Sequence, residues 1–140
     1  MIDFNESEPE AVSRRLATAF RGILSWKWDD YIDTVLAKFD TGDKDSIREI
    51  LERYLGSTWD ASNIAKAPDI VQTVNNNLGG LRPEQLLYTS DPEQVAIIFG
   101  AWWPWGDGKT ISIRIAPAYG MLSYSEKELK FKRFRGLFGI

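Results

Sequence analysis

The sequence predicts an α+β fold in which about four N-terminal amphipathic helices cover one face of a C-terminal antiparallel sheet of three to five strands. Helical spacing of apolar residues recurs from about residue 8 to residue 80, whereas period-two alternation begins only beyond Gly80. Helices followed by strands are typical of a segregated α+β arrangement. We therefore expect one domain over residues 1–140, with a helical part at about 8–80, a sheet part at about 85–124 and a basic, aromatic tail at 125–140.

The first two predicted helices lie before residue 40. Ser7 as N-cap and Glu10 three residues later form a capping box, so a helix is expected from about Pro9 to Ser25. Trp26 and Trp28 then read as a connector. Asp29 or Asp30 is expected to cap a second helix, whose apolar residues fall at the spacing i, i+3, i+4, i+7, namely Ile32, Val35, Leu36 and Phe39.

Two further helices are predicted before the sheet. A capping box at Ser46 and Glu49 begins the third, which ends at Gly56. Pro68 and Asp69 open the fourth, and the Gly79-Gly80 pair ends it. Between these two helices only a short helical turn is expected, at about residues 59–65.

The densest apolar run extends from Gln94 to Ala116 and contains three of the six tryptophans. It predicts two strands, Gln94 to Trp103 and Lys109 to Ala116, after a short extended piece at residues 85–89. Asp107-Gly108 favours a tight hairpin, whereas Pro104 favours an earlier strand end and a longer loop. The two alternatives reverse which tryptophan faces the core. Another short strand is expected at residues 119–124.

The C-terminal tail reads as a helix in preference to a strand. Ser125 and Glu128 form a third capping box, and a helix from Glu126 to Arg135 places three phenylalanines on one face, namely Phe131, Phe134 and Phe138. Gly136 stands where a C-cap is expected.

Composition excludes several kinds of chemistry. The chain has no cysteine and no histidine, which rules out disulfides, thiolate ligands and imidazole catalysis. Its net charge is −3; five basic residues against two acidic ones give residues 119–140 a charge of +3, so the remaining 118 residues carry −6. An acidic body favours a basic partner. Without a secretory signal or an apolar run of the ~18 residues that a membrane span needs, a cytoplasmic protein is expected.

Two apparent ligand motifs lack the residues that they need. Gly108-Lys109-Thr110 resembles the end of a phosphate loop, but position 103 is Trp and a strand follows. Asp43, Asp45 and Glu52 have calcium-loop spacing, but Ser46 replaces the turn glycine. We therefore expect no metal, no cofactor and no catalytic residue.

Two clusters are candidates for contact with another protein. The first surrounds the hairpin turn, where large rings are typical of binding hot spots: Trp102, Trp103, Trp105, Asp107 and Arg114. The second precedes the predicted second helix: Trp26, Trp28, Asp29, Asp30 and Asp33. The alternatives are that the rings fold into the core and that the aspartates only cap a helix.

The tail interleaves basic and aromatic residues, a pattern that suits nucleic acid, an anionic membrane or docking on the protein's own acidic body. Its contact candidates are Lys130, Phe131, Lys132, Arg133, Phe134 and Arg135.

The favoured function is non-enzymatic binding of another protein, by analogy with small acidic inhibitor and immunity proteins that cover a basic partner. A carboxylate-based enzyme or a small-molecule pocket between helices and a curved sheet is the second hypothesis. Contact with nucleic acid or membrane through residues 126–140 is the third, and the sequence permits a homo-oligomer.

Overall fold

A computed structural model of the chain describes residues 8–120 and 122–140, so the predicted N-cap Ser7 lies outside the described residues. The described part forms four α-helices and six β-strands. In chain order they are α1 Glu8–Phe20, β1 Lys27–Asp29, β2 Thr34–Asp40, α2 Lys44–Tyr54, β3 Ser57–Trp59, α3 Asp69–Asn77, β4 Leu86–Thr89, β5 Ala96–Pro104, β6 Thr110–Tyr119 and α4 Tyr124–Leu137. None of these helices is long and apolar enough to cross a membrane.

The six strands form one sheet in the order β1-β2-β6-β5-β4-β3, and each strand runs antiparallel to its neighbours. The hairpin β5–β6 lies in the middle, and β2 adds to β6 with Val35 opposite Ile115. The N-terminal strands therefore reach the centre of the sheet through a long-range pairing rather than through a local hairpin.

The predicted arrangement is wrong in three respects, although the α+β class is right. Helices alternate with strands along the chain instead of all preceding them, and the sheet has six strands instead of three to five. Helices also pack on both faces of the sheet, as the two buried clusters described below show.

The largest local error concerns β2, which was expected to be a helix. Residues 34–37 are all buried because β2 lies inside the sheet, between β1 and β6. A strand buried on both faces loses its period-two alternation, and its apolar residues then fit helical spacing by chance. Asp29 accordingly caps no helix; its carboxylate accepts a hydrogen bond from the Tyr31 amide in the turn that follows β1.

Each face of the sheet carries its own buried cluster. We call the side that bears Ile111, Ile113 and Ile115 the isoleucine face; α1, α2 and α4 pack against it. We call the opposite side, which bears Thr110, Ser112, Arg114, Ala116 and Ala118, the mixed face. There α3 packs on β4, β5 and the end of β6, through Val71 and Val74. The strand β6 thus separates an apolar surface from one that carries polar, charged and small side chains.

The four other predicted helices are present with shifted boundaries. The predicted connector at Trp26 and Trp28 contains β1, however, and Trp59, which was expected to begin a helical turn, ends β3. Helix α1 ends at Phe20 rather than Ser25, and α2 begins at Lys44, so the predicted capping box at Ser46 lies inside it. The capping box of α4 uses Ser123, whose hydroxyl accepts from the Glu126 amide at 3.3 Å, two residues before the predicted one.

No separate strand follows residue 119 among the described residues, because β6 itself continues to Tyr119 and α4 begins at Tyr124. Pro117 is accommodated inside β6 because β2 ends opposite Ile115, which leaves β6 with a neighbour on only one side at that point.

Candidate binding surface

The three tryptophans of the β5–β6 hairpin have different environments. Trp102 lies opposite Ile113 on the isoleucine face and is 2% exposed, in edge contact with Phe39. Trp103 lies opposite Ser112 on the mixed face and is half-buried. Trp105 follows the strand and is 43% exposed. The register therefore assigns Trp102 to the core and leaves Trp103 and Trp105 as contact candidates.

The turn that presents Trp105 is fixed by hydrogen bonds to Asp107. Its carboxylate accepts from the Lys109 amide at 2.8 Å, from the Thr110 amide at 3.0 Å and from the Thr110 hydroxyl at 2.9 Å. These donors, led by the Lys109 amide, lower the pKa of Asp107 below its ordinary value. Asp107 is thus occupied inside the turn, and it acts as a support for Trp105 rather than as a contact residue.

Neighbouring elements hold the same turn from the side of β2. The Thr41 amide donates to the Lys109 carbonyl at 2.8 Å, and the Thr41 hydroxyl donates to the Gly108 carbonyl at 3.2 Å. The Lys38 ammonium lies 4.8 Å from the centre of the Trp105 ring, within cation–π range. Sequence reasoning missed Lys38 because it falls in the segment interpreted as a helix.

Arg114 links the hairpin to β1. Its guanidinium forms an ion pair with Asp29 and lies 5.0 Å from the centre of the Trp103 ring. The side chains of Arg114 and Asp29 are only 15% and 19% exposed. The hydrogen bond from Arg114 lowers the pKa of the Asp29 carboxyl, with further donors from the backbone of the following turn. The structure therefore brings Asp29 and Arg114, from separate predicted clusters, into one contact.

The rest of the second predicted cluster is divided. Trp26 packs between Phe20 and Phe138, and Trp28 packs under the Arg135 guanidinium at 4.7 Å, so both rings join the isoleucine face. The other two aspartates, Asp30 and Asp33, are exposed in the turn between β1 and β2. No shared site of two tryptophans and three aspartates forms among the described residues.

The tail binds the protein's own body. Phe134 and Phe138 are 4% and 8% exposed in the core beside α1. Arg133 pairs with Glu10 at 3.0 Å. Of the other tail candidates, Phe131 packs edge-on against Trp28 and Tyr119, the Lys130 ammonium lies 5.7 Å from the Tyr119 ring, and Lys132 is exposed. Intramolecular contacts therefore use most of the predicted tail residues.

A groove of about 710 Å³ opens on the mixed face near the C-terminal end of β6. Ala116 and Ala118 lie in its floor, α3 forms one wall, and the turn between β1 and β2 forms another. The first turns of α4 close one end through Lys127 and Phe131. The second hypothesis expected a pocket between helices and the sheet, but sequence reasoning did not place it here, because Ala116-Pro117-Ala118 read only as the end of a strand.

The described residues contain no group of acidic, histidine or cysteine side chains arranged to hold a metal ion. What the mixed face offers is ring stacking, cationic hydrogen-bond donors and apolar contact, all of which suit binding. Comparison with protein-family models, with curated proteins and with solved structures found no match to this chain.

Proposed function

We propose that the protein is a binding module for another protein, and that its contact surface is the hairpin turn with the adjoining part of the mixed face. The observation that carries this proposal is Trp105: a large ring, 43% exposed, on a turn whose backbone is held from two sides. Tryptophans in such positions are common hot spots, because they bury a large area against a partner.

Preorganisation is the second argument for this surface. Trp105 rests against Lys38, and Trp103 rests against Arg114, which is itself paired with Asp29. Side chains that already hold their bound conformation lose little conformational entropy on association. The surface therefore presents two supported rings, flanked by cations, without needing to rearrange.

Charge supports a partner with a basic surface at long range. The body without residues 119–140 carries −6. Arg114 beside Trp103 is paired with Asp29, so the attraction comes from the net charge of the body rather than from the cations against the two rings. An inhibitor-like protein that covers a basic site is the form of binding that this charge distribution favours.

The test compares capture of partners by immobilised wild-type protein with capture by Trp105→Ala, using native lysate and quantitative mass spectrometry. Val95→Ala is the matched control, because Val95 is 85% exposed and lies outside the proposed surface. We expect a partner that wild type and Val95→Ala retain and that Trp105→Ala loses. Equal retention by all three proteins, with equal thermal stability, would refute the proposal.

A further inference from the structure

The groove on the mixed face exists because three elements meet over small side chains. Strand β2 makes its last pairing with β6 at Val35 and Ile115, so below that point the turn at residues 30–33 replaces a neighbouring strand. Helix α3 packs on the other side, over Phe99. Between them β6 presents Ala116 and Ala118, whose methyl groups leave the space above unfilled.

The walls of the groove are mainly apolar. Ile70 and Val74 come from α3, Leu78 directly follows it, and Phe99 and Phe131 come from β5 and α4. A volume of about 710 Å³ lies within the range of roughly 300–1,000 Å³ that is typical of small-molecule sites. The shape and lining therefore suit a ligand with an extended apolar body.

The charges of the lining lie on different walls. Lys127 is half-buried at the α4 end and forms no ion pair within 4.0 Å among the described residues, while Asp33 is exposed on the turn opposite. Solvent and salt screen an exposed charge more strongly than a partly buried one. Lys127 therefore has a stronger electrostatic effect on a bound head group than Asp33 has.

We propose that this groove binds a monomeric amphipathic carboxylate, with its apolar chain over Ala116 and Ala118 and its carboxylate at Lys127. The apolar walls remove the chain from water, and the ammonium group supplies a charge-assisted hydrogen bond to the head group. The site is separate from Trp105 and does not depend on the proposed function, since it lies at the other end of β6.

The experiment measures binding of three probes with the same chain, decanoate, decylammonium and decanol, by calorimetry below the concentrations at which they aggregate. We expect decanoate to bind at least about tenfold more tightly than either of the others, a difference of about 1.4 kcal/mol. Equal affinities, or preference for decylammonium, would overturn the proposal.

Two pairs of variants locate the site. Ala118→Leu fills the floor and should abolish decanoate binding, whereas Ala61→Leu makes the same change at an exposed position outside the groove. Lys127→Glu should weaken decanoate binding at least about tenfold, whereas Lys132→Glu makes the same charge change on the exposed side of α4.

If Ala118→Leu does not fold, the Lys127 pair decides alone. Unchanged binding in Lys127→Glu overturns the proposal. So does gel filtration that shows a dimer abolished by Ala118→Leu while no probe binds, because the groove is then an interface between two copies of the chain.

Discussion

The two faces of the sheet are made by the same strands and differ in composition. On the isoleucine face, Ile111, Ile113 and Ile115 are 0–3% exposed beneath three helices. On the mixed face the alternate residues of β6 are a threonine, a serine, an arginine and two alanines, and the groove and the Trp103–Arg114 stack are both found there. Under the proposed function, stability and recognition use opposite sides of one strand, so substitutions on the two sides should have different effects.

Substitutions of Trp102 and Trp105 should give the largest difference in stability. Trp102→Ala should lower the free energy of unfolding by about 3–5 kcal/mol, because it removes a ring that is 2% exposed in the core. Trp105→Ala should change it by no more than about 1 kcal/mol, since Trp105 is 43% exposed. Urea unfolding followed by far-UV circular dichroism measures both. Similar losses of unfolding free energy in the two variants would contradict the difference between the buried and the exposed tryptophan.

The Asp29–Arg114 pair should give an intermediate effect. Asp29→Asn should lower the free energy of unfolding by about 1–3 kcal/mol, because it leaves a mostly buried guanidinium without its counter-charge. The double variant with Arg114→Met should lose less than the sum of the two single changes. A double-mutant cycle in urea measures this coupling, and additive losses would show that the two side chains act independently.

The same pair predicts a pH dependence. Because Arg114 holds the pKa of Asp29 below the ordinary carboxyl value of 3.8, the ionised pair stabilises the fold above that pH. Its contribution is lost as the pH falls through the folded-state pKa. The stability gap between wild type and Asp29→Asn should therefore be constant near neutrality and close below about pH 3.8. A gap that widens in acid would contradict the assignment.

The Lys38–Trp105 contact should give the smallest effect. Exposed cation–π contacts contribute about 0.5–1 kcal/mol, and the Lys38 ammonium lies 4.8 Å from the ring centre. Lys38→Met should cost at most that amount and should make the Trp105 ring more mobile, which fluorescence anisotropy measures in a variant whose other tryptophans are replaced by phenylalanine. Unchanged anisotropy would remove Lys38 from the preorganised surface.

The sequence predicted the four α-helices and the two long strands of the central hairpin. Helices α1, α2, α3 and α4 show apolar stripes or capping signals, and β6 alternates cleanly. It failed at β2, whose apolar residues also fit helical spacing and whose partner β6 lies far along the chain. It failed also at β1 and β3, which are three residues long and too short to show a period. Which face of the sheet each helix covers depends on the path of the chain, and local periodicity does not contain it.

The candidate sites show the same limit, namely that contacts between distant segments leave no local pattern in the sequence. Trp103, Trp105 and Arg114 were selected as candidates because aromatic and charged residues are conspicuous in a turn and on the polar side of a strand. The pairing of Arg114 with Asp29 spans 85 positions and has no local signal. The place of the groove was not predicted, because its floor consists of small side chains, Ala116 and Ala118, and its walls come from α3 and α4.

The place of β2 beside β6 has a consequence for how the protein folds during synthesis. Val35 pairs with Ile115, so the contact joins the first third of the chain to the last. Pairings of such long sequence separation slow folding, because the intervening loop must close before the contact forms. During synthesis, β2 therefore keeps one long edge unpaired until β6 has emerged from the ribosome. An unpaired strand edge favours misassembly of the nascent chain.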